Sequence, residues 1–545
     1  MRAVVLATAA AVAVATSWGC TKVGTTSDAG SRHPYTHPHE LRLTASEDLV
    51  GLNPMVNTQA VLGYLSALTM GYLVKTDASS RATVAELATV VPSLANGGIS
   101  PDGKTITWHI RQGVKWSDGA PFDGDDVVFS TRLILDPRTN VVSHDGWDQI
   151  VRIDEPDKFT VVYHLKAPYA SFAYTYFSTG DANPAIVPKH LLTGKDINRD
   201  PYNALPVGTG PFRYAEWKRG DSGVLEPNPY YFRGHPKLQR VVYKIVQERN
   251  TVLELMRTHE IDLWIPTSAH YVNALKNVAG LKIDMIPGFF YDHLDFNTQR
   301  PVGKDPAVRR ALRMAIDRKT INDKIRFGVF QLGESFVPPA AKSFHLDIAM
   351  TPFDIAGADK VLDRAGWVRG SDGIRAKNGV RLNFDFATAT GTPDSDSEIE
   401  LIRNNWKQLG VDLQVKHYPA SLLFATASEG GIIFGGKFDM VVFGYGGNPH
   451  QDPANVFGCN RVPPNGQNDS RYCDPVVNAE IERGSVEYDD SKRVAGLKSI
   501  QRRIYDDAPV IILDTRREIY TYNDDLKHWQ PNPLAPFDDM LNVDI

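Results

Sequence analysis

A multi-lobed α/β architecture is what the sequence predicts, on three observations. Strand patterns of period two and helix patterns of period 3.6 alternate along most of the chain. A helical pattern over Glu398 to Leu409, a glycine at Gly410 and a strand pattern at Val411, Leu413 and Val415 follow one another directly, which is the α/β unit. The 545 residues exceed what one hydrophobic core fills, so two to four domains are expected.

The elements follow in chain order. Residues Met1 to Gly19 read as an export signal: Arg2 carries the positive charge, and Ala3 to Ala15 is apolar except for Thr8. That stretch is too short to cross a bilayer, which takes roughly 20 residues. Thr21 to Arg32 is rich in Thr, Gly and Ser and suits a flexible tether, taken as residues 20–38. Leu41 to Ala45 alternates as a strand. Ile106, Trp108 and Ile110 share one face of a second strand between the turns Asp102-Gly103 and Asp118-Gly119. Asp123 can N-cap a helix beginning near Gly124 that carries Val127, Val128 and Leu133. Phe159, Val161, Tyr163 and Leu165 form another period-two face. Thr251 and Glu254 have capping-box spacing before a short helix, which leads into an apolar strand from Ile261 ended by Pro266. Asp305 followed by Pro306 marks a helix start that continues with Val308, Leu312, Ala315 and Ile316. Ile399, Ile402, Trp406 and Leu409 form the buried face of a later helix, with Trp406 expected in the core and Gly410 as its stop.

Composition excludes several classes. The chain has 59 Lys+Arg against 64 Asp+Glu, a net charge of −5, with 42% apolar and 23% charged residues. This is the profile of a globular protein, and it lacks the basic footprint of a nucleic-acid binder. Three cysteines rule out a disulfide scaffold or a cysteine-rich zinc array. No His-Glu-x-x-His, Gly-x-Ser-x-Gly, Walker or nicotinamide motif is present, so neither an enzyme nor a cofactor is expected. Gly208-Thr209-Gly210-Pro211 lacks the Lys-Ser/Thr of a phosphate loop and reads as a structural turn. His33, His37 and His39 lie in a Pro-containing stretch with little preorganisation, and no metal is assigned to them.

The run from Ser100 to Ser130 contains Ser100-Pro-Asp-Gly-Lys-Thr-Ile-Thr-Trp108 and Gly113-Val-Lys-Trp-Ser-Asp-Gly-Ala-Pro-Phe122. It closely resembles the signature of the family-5 solute-binding proteins, the dipeptide-, oligopeptide- and nickel-binding components of ATP-binding-cassette importers. Leu52-Asn53-Pro54, Gly208 to Phe212, Asn228-Pro229-Tyr230-Tyr231, Phe296-Asn297, Asp305 to Arg309 and Ala365-Gly366-Trp367 agree in the family's order. The resemblance implies an α/β, two-lobed periplasmic-binding-protein-like (type II) fold of three domains with a hinged interlobe cleft. Domain I would be 39–75, 205–288 and 510–545, domain II 76–204 and domain III 289–509. The lobes would be joined near Ile286-Pro287-Gly288 and near Pro509.

The same resemblance implies an exported monomer that captures an oligopeptide or another small polar solute. The solute would pass to ABC permease and ATPase subunits. Cys20, just after the signal, is similar to a lipobox cysteine and implies a lipid anchor on the membrane, although Ser17 stands where an aliphatic residue is usual. Cys459 and Cys473 would pair as in dipeptide-binding relatives. Phe443 to Asn448 aligns with a pocket loop in which peptide binders carry an aspartate for the peptide's α-ammonium; here that position is Asn448. A buried ammonium needs a counter-charge, so a blocked peptide or a saccharide is equally open. Tyr445, Gly446, Gly447 and Asn448 are the loop's ligand candidates. Asn53, Met55, Trp264, Ile265, Thr267, Tyr291 and His293 are candidates by matching position. The alternatives are an exported carbohydrate receptor of the same fold and a secreted glycosidase-like hydrolase.

Overall fold

One ten-stranded mixed sheet organises the chain. The structure, a computed structural model, describes residues 32–545 except 46–48, 58, 78, 80, 142–143, 145, 181–182, 392 and 447–450. The expected signal, Cys20 and most of the tether lie outside the described residues, as do Gly447 and Asn448. Residues 35–545 form one compact unit; of the preceding unit, 1–34, only residues 32–34 are described.

In chain order the large sheet's strands are β1 (Glu40–Ala45), β2 (Phe212–Lys218), β3 (Ser222–Pro227), β4 (Arg240–Ile245), β5 (Leu263–Trp264), β6 (Leu281–Phe296), β7 (Asn383–Ala389), β8 (Asp412–Tyr418), β9 (Met440–Gly446) and β10 (Val510–Asn523). Their spatial order is β8-β7-β9-β6-β10-β5-β1-β4-β3-β2. β1 runs parallel to β4 and β5, and β7 runs parallel to β8 and β9; the remaining pairs are antiparallel.

The two longest strands, β6 and β10, lie side by side and belong to both halves of this sheet. Lys282 to Pro287 pairs with Arg517 to Tyr522, beside β5 and β1. Tyr291 to Asp295 pairs with Val510 to Thr515, beside β9. Between them the register shifts, at Pro287/Tyr291 and again at Asp292/His293. A bulge bends a strand and increases its twist, so the two halves meet at a local break in an otherwise continuous ladder.

Apolar cores divide along the same lines. One joins residues 41–68, 212–265 and 520–545. A second gathers Met55 and residues 73–202 around Trp108, Trp116 and Trp147. Two more fill the region 289–513, one of them joined by Leu534 and the other around Trp406, whose indole donates to the Leu312 carbonyl at 3.1 Å. The second core has its own antiparallel sheet, Thr105–His109, Thr160–Leu165 and Ile150–Asp157, with Ile106, Trp108, Val161 and Tyr163 wholly buried.

Local signals account for most element ends. Helix α1 (Gly124–Leu135) starts at Asp123, which forms a full capping box with Asp126. Helix α2 (Arg249–Arg257) departs from expectation: its N-cap is Glu248 without a side-chain bond, and Thr251 lies inside the helix. The spacing of Thr251 and Glu254 therefore makes no cap there, because the chain is already helical from Arg249. Helix α3 (Pro306–Met314) is capped by Asp305, which accepts from Ala307 N at 2.9 Å. Helix α4 (Arg318–Ile325) follows. Helix α5 (Pro393–Gln408) begins five residues before the predicted Glu398, with Asp394 and Asp396 in its first turn, where carboxylates favour the helix dipole. It ends before Gly410, whose φ of 77° is the left-handed stop that glycine permits.

Gly208 and Gly210 are required by close packing: a Cβ on either would drive into the carbonyls of Thr69 or Leu68. Cys459 and Cys473 are joined by a disulfide, with Cα atoms 4.7 Å apart. His37 and His39 each stand against a carboxylate, Glu40 at 3.1 Å and Asp544 at 2.8 Å. Among the described residues no helix is long and apolar enough to cross a membrane.

Candidate functional site

A cleft of ≈ 820 Å³ opens where β6 and β10 break register. Its size falls in the range that encloses a small-molecule or short-peptide ligand. One wall comes from Thr44 at the end of β1, Tyr64, Arg249 and Val252 of α2, and the segment Trp264 to His270. The other comes from Ile325, Arg326, Phe330, Asp394 and Ser395. Phe290 and Asp292 of β6 and Arg516 to Ile519 of β10 form the floor between them.

The wall segment is shaped by a cis Ile265–Pro266 peptide bond, after which Thr267 turns back onto β10. Thr267 N donates to the Ile519 carbonyl at 2.7 Å, and its hydroxyl is 3.1 Å from the Trp264 carbonyl and 3.0 Å from the Thr521 hydroxyl. Trp264 packs its ring on Tyr271, with centroids 5.3 Å apart. Both side chains are therefore anchored while still lining the cavity.

The floor holds a dense charge network. Arg516 grips Asp292 with Nε at 3.0 Å and an Nη at 2.6 Å. Arg326 reaches Glu398 at 2.9 Å, Asp514 at 3.5 Å, Asp394 at 3.7 Å and Asp292 at 3.8 Å. Two guanidinium groups thus face four carboxylates. Burial resolves the imbalance. It pushes Glu398 up to about 7, against the pull of Arg326, and raises Asp514 well above the usual carboxylate range, with Asp292 adding to the rise. Burial would raise Asp292 too, but the hydrogen bonds and charge of Arg516, with Arg326 behind, bring it below its usual value. The network thus favours the charged form at Asp292 and the neutral form at Asp514, with Glu398 near its midpoint at neutral pH. His270 stands 3.4 Å from Asp394 at the cleft's edge.

The candidates from sequence divide into three groups. Trp264, Ile265 and Thr267 line the cleft. Tyr291, His293 and Tyr445 come together in a buried aromatic corner beside it: Tyr291 lies 5.3 Å from His293 and 5.9 Å from Tyr445. His293 Nδ1 meets Asp295 at 2.7 Å, its ring meets Phe443 edge-on, and Nε2 is buried without a partner. The Tyr445 hydroxyl donates to Gln467 at 3.1 Å. Gly446 is exposed and pairs in register with Phe290, a cleft residue. Asn53 and Met55 are placed elsewhere. Asn53 is fully buried, donating to Asn203 at 2.9 Å and accepting from Met55 N at 3.1 Å, and Met55 packs in the 73–202 core. They hold a turn and do not line the cleft.

Sequence reasoning missed the charged floor. Its sequence signal was Asp514 with the triplet Arg516-Arg517-Glu518 inside the otherwise mostly apolar run Val510 to Tyr520, where a strand with a buried face has no other reason to carry four charges.

Comparison with known proteins places these features. The profile described as bacterial extracellular solute-binding proteins, family 5 Middle, matches residues 89–465. The probable di/tripeptide-binding protein 5 of Pseudomonas aeruginosa is 27% identical over 512 residues, covering 87% of this chain and 90% of that protein. The nickel-binding periplasmic protein of Escherichia coli is 26% identical, covering 77% of this chain and 80% of its own. The solved structure of the oligopeptide-binding protein AppA of Bacillus subtilis, in complex with a nonapeptide, superposes with a TM-score of 0.72 at 22% identity, covering 92% of this chain and 98% of that one.

Proposed function

This chain belongs to the bacterial extracellular solute-binding proteins of family 5, and from that premise we propose that it captures a peptide or similar polar solute in the cleft crossed by β6 and β10 and delivers it to a membrane permease. The fold is two-lobed, of the type II periplasmic-binding kind, and the family is one of receptors rather than enzymes. The observation that carries the reading is the ≈ 820 Å³ cavity set at the register break between the two strands. A ligand touching both walls favours the closed arrangement, because only differential affinity shifts such an equilibrium.

The division into domain I (39–75, 205–288, 510–545), domain II (76–204) and domain III (289–509) is supported in outline by the separate apolar cores, except that Val510 to Leu513 and Leu534 pack with residues 289–504. The crossing on β10 is taken at residues 515–517, where its pairing with β6 shifts, rather than near Pro509 as expected, because Val510 to Leu513 pack with residues 289–504. Export, lipidation at Cys20 and a monomeric state complete the proposal, with permease and ATPase subunits as partners. Peptides are favoured as ligands by the di/tripeptide- and oligopeptide-binding relatives. Asn448, in place of a carboxylate, favours peptides whose N-terminus is not the main anchor.

The test is a melting-temperature screen with a di- to pentapeptide panel, alongside native mass spectrometry of the protein as purified. A ligand present at a hundredfold excess over its Kd should add about 2.7 kcal/mol of stability and be recovered unchanged. Stabilisation by saccharides and by no peptide would make this a carbohydrate receptor, and turnover of the ligand would overturn the receptor reading. Separately, intact-mass measurement under non-reducing conditions should find the chain two hydrogens lighter than after reduction, with Cys459 and Cys473 resistant to alkylation. Two labelled thiols there would remove the disulfide from the reading.

A further inference from the structure

We propose that the segment Ser485 to Asp490 is a strap that fastens domain III to domain II, holds the two lobes together independently of the solute, and so sets the affinity for every solute by one common factor. The inference rests on the two-lobed reading above. In that reading the chain crosses between the lobes along β6 and β10, and their other contacts are non-covalent.

The strap is preformed. Helix α6 (Pro475–Val486) and helix α7 (Asp490–Asp507) bury Val477, Ile481, Leu497, Ile500 and Ile504 in one of the cores of the 289–513 region. Glu487, Tyr488 and Asp489 join the two helices. Asp489 caps α7, accepting from Ser491 N at 2.9 Å and Lys492 N at 3.3 Å. A short link whose last residue is fixed as a cap leaves Tyr488 standing at the tip between the helices.

This tip docks on the region 76–204. The Tyr488 hydroxyl donates to the Gly103 carbonyl at 2.9 Å and accepts from Tyr169 N at 3.0 Å. Its ring meets Phe172 edge-on, with centroids 6.2 Å apart. The Ser485 carbonyl accepts from Ala170 N at 2.9 Å, and Asp490 pairs with Arg81. Gly103 has a φ of 71°, and a Cβ there would press into the Tyr488 ring and Pro168, so the Asp102-Gly103 turn is shaped to receive the ring.

The contact is a docked surface and not a continuous core. A cavity of ≈ 180 Å³ lies beside it, lined by Val91, Leu94, Ile99 and Tyr174 from one partner and by Tyr488 and Arg493 from the other. A second, smaller opening touches Ser171 across from Ser485 and Glu487. Protein interiors leave few voids larger than a water molecule. The polar groups that meet are mostly backbone N–H and C=O, which bond to water when the surfaces part, so release strands no buried group. Among the described residues, those lining the ≈ 820 Å³ cleft include none of Ser485 to Asp490. The strap therefore acts on the solute through closure: a receptor whose binding-competent form is populated to a fraction f shows an apparent Kd equal to the intrinsic one divided by f, whatever the solute.

The test is hydrogen–deuterium exchange of the solute-free protein, with calorimetric Kd values for each stabilising panel peptide, on the wild type, Tyr488→Ala, Tyr488→Phe and Arg81→Gln. In Tyr488→Ala the amides of Tyr169 and Ala170 should exchange about threefold faster or more, while those of Val161 to Tyr163, inside the 105–165 sheet, keep their wild-type rates. Tyr488→Ala should weaken every peptide by the same factor, about tenfold, and Tyr488→Phe, which keeps the ring and loses both hydrogen bonds, by about threefold. Arg81→Gln, at a half-buried position on the other partner, should shift exchange and Kd in the same direction. Equal exchange at Tyr169 and Ala170 in wild type and variants overturns the strap even if no peptide binds. Faster exchange there with unchanged Kd also overturns it, because the contact then lies within one rigid body. Factors that differ between peptides overturn it by placing Tyr488 against the solute. Failure of every peptide together with faster exchange overturns the peptide reading alone. Should Tyr488→Ala disturb folding, seen as faster exchange at Val161 to Tyr163, Tyr488→Phe and Arg81→Gln carry the comparison.

Discussion

Replacing Arg326 with methionine should destabilise the protein by about 3–5 kcal/mol, the cost typical of removing one partner from a buried ion pair. Arg326 is the one group that touches Asp292, Asp394, Glu398 and Asp514 together. Its side chain is 12% exposed, and those of Glu398 and Asp514 are 1% exposed, so water cannot replace it. Without it Arg516 alone remains for Asp292, and Glu398 keeps no hydrogen-bond donor beyond its own protonation. Lysine should restore little, because a single ammonium cannot reach carboxylates spread around a planar fork. Adding Glu398→Gln to Arg326→Met should recover part of the loss, since it removes a charge that the arginine no longer offsets. Guanidinium chloride midpoints at pH 7 give the comparison; a loss below 1 kcal/mol for Arg326→Met would mean that the network is solvated and not a structural lock.

That network also marks the limit of what the sequence discloses. The cap of Asp123, the Asp305-Pro306 start, the glycine stop at Gly410 and the period-two faces at 106–110 and 161–165 depend on residues a few positions apart, and all were legible. The same locality misleads at Thr251, where capping-box spacing is present but the helix has already begun. The overall architecture came from the family-like motifs rather than from periodicity, because ten strands in one sheet leave no local trace of their order.

The cleft floor is harder still. Asp292, Arg326, Glu398, Asp514 and Arg516 sit on four separate elements, and their pairings span 34 to 224 residues. Each alone reads as an ordinary surface charge. Trp264, Thr267 and Asn53 were all candidates by matching position; the first two line the cleft, whereas Asn53 proved to hold a turn. Position in a family pattern identified the region of the site but not which side chains face the solute.

A second charge, in the aromatic corner, should govern how stability depends on pH. Burial pushes Asp469 up to about 8, Asp295 adds to the rise, and Arg471 only partly offsets it. The residue is 6% exposed and its Oδ1 has no partner. Around it stand Tyr445, Asp295 held by His293, and Arg471, whose guanidinium is occupied by the Asp469 and Phe434 carbonyls. In the unfolded chain this carboxyl titrates near its ordinary value of 3.8. Between about pH 4 and 8 the folded state therefore holds a proton that the unfolded state has released. With fewer protons bound when unfolded, stability must fall as pH rises through that window, and the full penalty is present above pH 8. A separation from 3.8 to about 8 corresponds to a cost on the order of several kcal/mol. Asp469→Asn keeps the shape of the protonated acid and cannot ionise. It should leave stability unchanged near pH 4, flatten the decline up to pH 8, and make the variant more stable than the wild type at pH 8.5 by an amount of that order. Parallel stability–pH curves for the two proteins would show that Asp469 ionises freely in the fold, through solvent reaching the corner, and would place the source of any remaining slope at Glu398 and Asp514.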